Sequence, residues 1–212
     1  MNDLFPEDRA RLSLDPGAVL LGGFAVPVAG ALLDAIATVA AAAPFRHLET
    51  PGGRRMSVAM TNAGRLGWVS DRLAYRYDPT DPLTGQAWPA MPAVFAELAL
   101  NAAAAAGYDG FTPEACLINR YEPGARLTLH QDRDERNLEQ PIVSVSLGID
   151  ARFLWGGLAR SDRTRRIALH HGDVVVWGGP ARLVFHGIDT LAASTHSLTG
   201  ALRYNLTFRQ AS

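Results

Sequence analysis

The chain has no lysine. All 20 of its basic residues are arginine, against 21 acidic residues, for a net charge of −1. A balance so near zero excludes a whole-molecule field that would gather nucleic acid without specificity. It also makes every cationic contact planar, a geometry suited to carboxylates and phosphates. Cysteine occurs once, at Cys116, which excludes an internal disulfide and a multi-cysteine zinc site. Cys116 lies in an apolar run and reads as a buried thiol. No apolar run approaches the ~18 residues needed to span a bilayer. The start is polar and acidic (Asn2, Asp3, Glu7, Asp8), unlike a signal peptide. These absences point to a cytoplasmic protein, and 212 residues suit a single domain.

The punctuation of the chain gives its organisation. Residues 1–17 read as a loosely packed arm and Val19–Phe24 as a short strand. Pro27 opens a helix whose apolar positions Leu32, Leu33, Ile36 and Val39 share a face, and Pro44 closes it. From about 45 to 89 glycine and proline recur, with strand-like pieces at Arg55–Thr61, Gly67–Val69 and Leu73–Tyr77 between them. So turn-rich a region has little core of its own and reads as a flap over something else. An alanine-rich helix, Ala93 to Ala106, stops at Gly107. Beyond it lie eight expected strands: Ala115–Tyr121, Leu127–Gln131, Ile142–Ile149, Ala151–Trp155, Arg166–His170, Asp173–Trp177, Leu183–Ile188 and Arg203–Arg209. With no helices between them, they predict a double-sheet jelly roll over about 90–212.

Two patterns carry chemistry. His130 and Asp132 are two apart, so on a strand they share a face and can both bind one metal. As a bare pair they are weak evidence, and a hydrogen-bonded surface contact is the better reading of them alone. A third ligand could come from His47, His170, His171, His186 or His196. His170 and His171 precede a Gly172-Asp173 turn. His186 lies on an expected strand before a glycine that admits close approach, and it completes the two-histidine, one-carboxylate arrangement suited to non-haem Fe(II). The second pattern is the last strand. Arg203, Asn205, Thr207 and Arg209 share one face; Tyr204, Leu206 and Phe208 share the other. If the polar face lines an interior, its two guanidiniums need carboxylates, and a small dicarboxylate would satisfy both. Four arginines between Arg160 and Arg166 suit either a solvated loop or phosphate contact.

His130-x-Asp132, the distant His186 and Arg203-x-Asn205-x-Thr207-x-Arg209, in that order, resemble the AlkB family of Fe(II)- and 2-oxoglutarate-dependent dioxygenases. So do Met56–Asn62, Asn119-Arg120-Tyr121, Pro141–Gly148 and Gly172–Gly179. The similarity covers nearly the whole chain, from about Phe24 to Gln210. It implies an α+β protein of one catalytic domain, 1–212, with a jelly-roll core, N-terminal helices and a nucleotide-recognition flap. It implies Fe(II) held by His130, Asp132 and His186, with O₂ and 2-oxoglutarate as cosubstrates. Arg203 and Tyr121 are expected at the distal carboxylate, Arg209 and Asn119 at the chelating end, and Asn205 in the same pocket. Trp68, Tyr75 and Tyr77 are expected to meet the nucleotide, the two tyrosines near its phosphates, with Asp134 and Arg160 at the base-binding end. The reaction implied is oxidative demethylation of 1-methyladenine and 3-methylcytosine in single- or double-stranded DNA, extending to RNA, by a monomer that needs no membrane. Formaldehyde, succinate and CO₂ are the products.

Three positions depart from the family pattern. Ala63 replaces a cysteine, His170 an acidic residue, and Trp155 is bulkier than expected, which bears on substrate range. Two other functions fit the residues: the same chemistry on protein or lipid, and a nucleic-acid-binding module without catalysis.

Overall fold

The run Val174-Val175-Val176-Trp177 is apolar at every position, so its strand must be covered on both faces. Val174 and Val176 pack in a cluster with Leu32, Ile36, Phe95 and Leu98. Val175 and Trp177 pack in another with Phe153, Trp155 and Ile188. The molecule follows from that alternation. A large sheet carries two helices on one face and a smaller sheet on the other.

The structure, a computed structural model, describes residues 10–212. The acidic start at Asn2, Asp3, Glu7 and Asp8 lies outside the described residues. The strands are β1 Arg11–Asp15, β2 Ala18–Leu21, β3 Arg46–Glu49, β4 Arg55–Gly64, β5 Gly67–Ser70, β6 Tyr75–Asp78 and β7 Ala115–Tyr121. They continue with β8 Leu127–His130, β9 Ile142–Gly148, β10 Ala151–Trp155, β11 Arg165–Leu169, β12 Val174–Trp177, β13 His186–Ile188 and β14 Arg203–Arg209. The helices are α1 Ala29–Ala42 and α2 Ala93–Ala105. The large sheet runs β1-β2-β12-β9-β14-β7-β4-β3, the facing sheet β11-β10-β13-β8, and β5 pairs with β6 alone. Neighbouring strands pair antiparallel throughout.

Two expectations are corrected. The arm expected over residues 1–17 is ordered from Arg11: β1 hydrogen-bonds along β2 at the sheet edge, and Leu14 is buried. Its alternation is too short to stand out in sequence, but pairing satisfies its backbone groups. The flap expected from 45 to 89 is also too wide. β4 pairs with β7 and β3 inside the large sheet, and Val58 through Ala63 are buried there. The glycines and prolines that suggested a flap flank β4 rather than interrupt it. Among the strands of the described residues, only β5 and β6 stand outside the two main sheets.

β1 also reaches the smaller sheet. The Asp15 carboxylate accepts hydrogen bonds from Trp155 Nε1 at 2.5 Å and Arg165 Nη2 at 2.8 Å. Trp155 is fully buried, so its indole N–H depends on that oxygen. Asp15→Ala is expected to cost about 1–3 kcal/mol by stranding a buried donor. Thermal melts should show it, with Asp15→Asn recovering part of the loss.

Candidate metal centre and anion pocket

β8 and β13 are neighbours because Gly187 lets them be. A Cβ at Gly187 would sit 2.5 Å from the Leu127 carbonyl oxygen. The register sets His186 directly opposite His130, with ring centroids 4.5 Å apart. Asp132 follows just past the end of β8. One ligand atom from each of His130, Asp132 and His186 lies within 4.8 Å of the others. Among the described residues this is the one such cluster of three.

Both rings are fixed for ligation. Nδ1 of His130 lies 2.9 Å from the Thr128 carbonyl, and Nδ1 of His186 lies 2.9 Å from that of Val184. A carbonyl only accepts, so each Nδ1 carries a proton and each Nε2 is the nitrogen left to ligate. Burial, reinforced by His130, lowers the His186 pKa to about 4, so the ring is neutral near pH 7. Burial opposes charge on Asp132, but Arg209 above all, with His186 and His130, holds its carboxyl below the ordinary range. Two imidazoles and a carboxylate fit a divalent first-row metal.

The inner face of β14 forms the second part. Arg203, Asn205, Thr207 and Arg209 are all buried, which settles the open question about that face. Arg203 is 1% exposed. Its Nη2 donates to Ser146 Oγ at 3.0 Å and its guanidinium lies 4.8 Å from the Tyr121 ring centroid, while Nε and Nη1 have no partner. Burial pushes its pKa down, with Tyr121 opposing. A buried cation with two unpartnered nitrogens suits a carboxylate. Asn119 donates to Asn205 Oδ1 at 3.1 Å, and its own Oδ1 is likewise unpartnered. Asn205 donates in turn to Ser144 Oγ at 2.8 Å.

Several side chains lie differently from expectation. Arg209 does not face an open pocket alone: Nε and Nη2 both bond Asp132 Oδ2, at 3.1 and 2.7 Å. Tyr77, expected near phosphates, turns inward. Its hydroxyl donates to Glu135 Oε1 at 2.6 Å, and burial raises its pKa. Asp134 is exposed and accepts from Trp68 Nε1 at 2.9 Å. Trp68 and Tyr75 stack, with centroids 5.5 Å apart and planes 15° from parallel. Tyr75, Tyr77 and Asp134 line a cavity of about 560 Å³ with Arg65, Arg76 and Arg136. Arg160 is not one of its lining residues. It lies exposed in the β10–β11 turn with its guanidinium 5.7 Å from the Phe185 ring centroid. Its cluster is partly neutralised, Arg165 by Asp15 and Arg166 by Asp189.

Sequence reasoning missed Glu135, Arg182, Ser144 and Ser146. The two serines could have been found, because Ser-Val-Ser on β9 puts both on one face. Glu135 sits in the charged run Asp132-Arg133-Asp134-Glu135-Arg136, which reads as solvated. Yet Glu135 is buried between Arg182 and Arg209.

Residues 17–209 match the 2OG-Fe(II) oxygenase superfamily. The chain is 58% identical over 212 residues to the alpha-ketoglutarate-dependent dioxygenase AlkB of Salmonella typhimurium, covering all of this chain and 98% of that one. It is 56% identical, with the same coverage, to the protein of the same name from Escherichia coli. The solved structure of OsALKBH1 superposes with a TM-score of 0.82 at 29% identity, over 94% of this chain and 100% of that one. With relatives of that identity matched end to end, the chain belongs to the AlkB dioxygenases of the 2OG-Fe(II) oxygenase superfamily and uses Fe(II), 2-oxoglutarate and O₂.

Proposed function

We propose that this protein repairs alkylated nucleic acid by oxidative demethylation, acting on 1-methyladenine and 3-methylcytosine in DNA and also on RNA. The observation that carries the reading is the His130, Asp132 and His186 trio, tied through Arg209 to the inner face of β14, where Arg203 is buried with Nε and Nη1 unpartnered. Bound iron with 2-oxoglutarate supplies an O₂-dependent oxidation that releases the N-methyl group as formaldehyde and yields succinate and CO₂. The chain's own residues do the placing. Arg203 and Tyr121 take the distal carboxylate; Asn119, Asn205 and Arg209 flank the other end. His130, Asp132 and His186 hold the metal.

The facing sheets are read as a double-stranded β-helix within one catalytic domain, and the nucleotide-recognition flap as the β5–β6 hairpin. Trp68 and Tyr75 on that hairpin offer aromatic faces to the base, and Asp134 offers a carboxylate. Bases methylated at N1 of adenine or N3 of cytosine are cationic near neutral pH, so stacking gains a cation–π component of about 0.5–2 kcal/mol. A damaged base is also easier to unstack, because its pairing edge is blocked. Arg160 is assigned to the flanking phosphates. The protein is proposed to act as a cytoplasmic monomer.

The test is mass spectrometry of 1-methyladenine and 3-methylcytosine oligonucleotides after incubation with protein, Fe(II), ascorbate and 2-oxoglutarate. Untouched oligonucleotides overturn the assignment. Trp68→Ala and Tyr75→Ala are each expected to lower kcat/KM on an oligonucleotide roughly 5- to 150-fold, the equivalent of about 1–3 kcal/mol of base stacking. Unchanged rates would move the substrate to another class, such as protein or lipid.

A further inference from the structure

Asp132 lies past the end of β8, in a segment from 131 to 140 with no regular structure. A metal ligand on such a segment needs something else to hold its main chain. Arg182, four residues before His186, does so. It is buried, and three of its nitrogens all point at this one segment. Nη1 donates to the Asp132 carbonyl at 2.5 Å, Nε to the Gln140 carbonyl at 3.0 Å, and Nη2 to Glu135 Oε2 at 3.0 Å. The neighbouring Gln131 Nε2 donates to the Leu183 carbonyl at 2.6 Å.

The contacts continue as a line of alternating charge. Arg182 pairs with Glu135, Glu135 Oε1 lies 3.2 Å from Arg209 Nε, and Arg209 pairs with Asp132. The hairpin joins through Tyr77, whose hydroxyl donates to the same Glu135 oxygen that faces Arg209. All four charged groups are buried, and two positive charges balance two negative ones.

We propose that Arg182 is a positioning residue for the iron site, clamping the 132–140 segment so that the Asp132 carboxylate meets the two histidines. The inference rests on the reading of His130, Asp132 and His186 as metal ligands. Without Arg182 the Asp132 carbonyl loses its donor. Glu135, left with one cation, competes for Arg209 and draws it from the Asp132 carboxylate. The effect on the metal is indirect but large, because supporting contacts of this kind typically change metal affinity 10- to 100-fold.

The test is calorimetric titration of the metal-free protein with Mn(II) in the presence of 2-oxoglutarate, well below its melting temperature. R182M is expected to weaken Mn(II) binding about 10- to 100-fold. R182K, which keeps the charge but cannot span three acceptors, should fall between it and the wild type. A lowered Tm with unchanged Mn(II) affinity in R182M would show a packing residue only and overturn the proposal. If R182M does not fold, R182K carries the same test, and unchanged affinity there overturns it equally. Wild-type protein that takes up no Mn(II) overturns the metal reading and this one together. Mn(II) that binds the wild type and is lost in His186→Ala confirms the metal reading independently of Arg182.

Discussion

His130→Ala and Asp132→Ala are both expected to abolish turnover, yet to differ sharply in stability. His130 is 34% exposed, and its loss strands no buried charge. Its variant, melted in the presence of chelator, should stay within about 1 kcal/mol of the wild type. Asp132 is 8% exposed and pairs with the buried Arg209. Removing it leaves two buried guanidiniums against Glu135 alone. Breaking a buried pair from one side costs about 3–5 kcal/mol. At roughly 2–4 °C per kcal/mol for a chain of this size, the melting temperature should fall by about 6–20 °C. Equal melting temperatures for the two variants would mean that Arg209 finds another partner and that the charge line is not a stability element.

Arg203→Met is expected to lose 2-oxoglutarate and gain stability. Its guanidinium is buried, burial disfavours its charge, and no carboxylate of the described residues pairs with it. Replacing such a charge with an apolar side chain of similar length stabilises by about 1–4 kcal/mol in comparable cases. The same replacement removes the partner of a buried carboxylate, a loss of about 2–5 kcal/mol, or roughly 30- to several-thousand-fold in affinity. Thermal melts with and without 2-oxoglutarate read both effects. Wild-type protein should melt higher with the cosubstrate; the variant should melt higher without it and show no response. A variant that is less stable and still responds would place the distal carboxylate elsewhere. Arg203→Lys should recover little affinity, because an ammonium cannot reproduce the paired N–H geometry.

The sequence by itself determined the strands of the core, because their period-two patterns are local. β7, β10 and β14 have the expected bounds, and the β14 alternation already separated a polar face from an apolar one. It also determined the two-residue spacing of His130 and Asp132 and the glycine after His186. Only the tertiary structure decided which way ambiguous side chains face. Tyr77, expected at the nucleotide's phosphates, and Glu135, in a charged run that reads as solvated, meet in a part-buried contact, because the β5–β6 hairpin folds over the segment after β8. β1 and β4 belong to the large sheet for a similar reason: their partners lie far along the chain, and turn residues beside them obscured the pairing. Arg182 was illegible from sequence. Nothing local distinguishes it from the solvated arginines, and its role comes from three acceptors 42 to 50 residues away. Burial of a charge is a property of the whole fold, so the arginines that hold this site together could be recognised only once their carboxylates and carbonyls were in place.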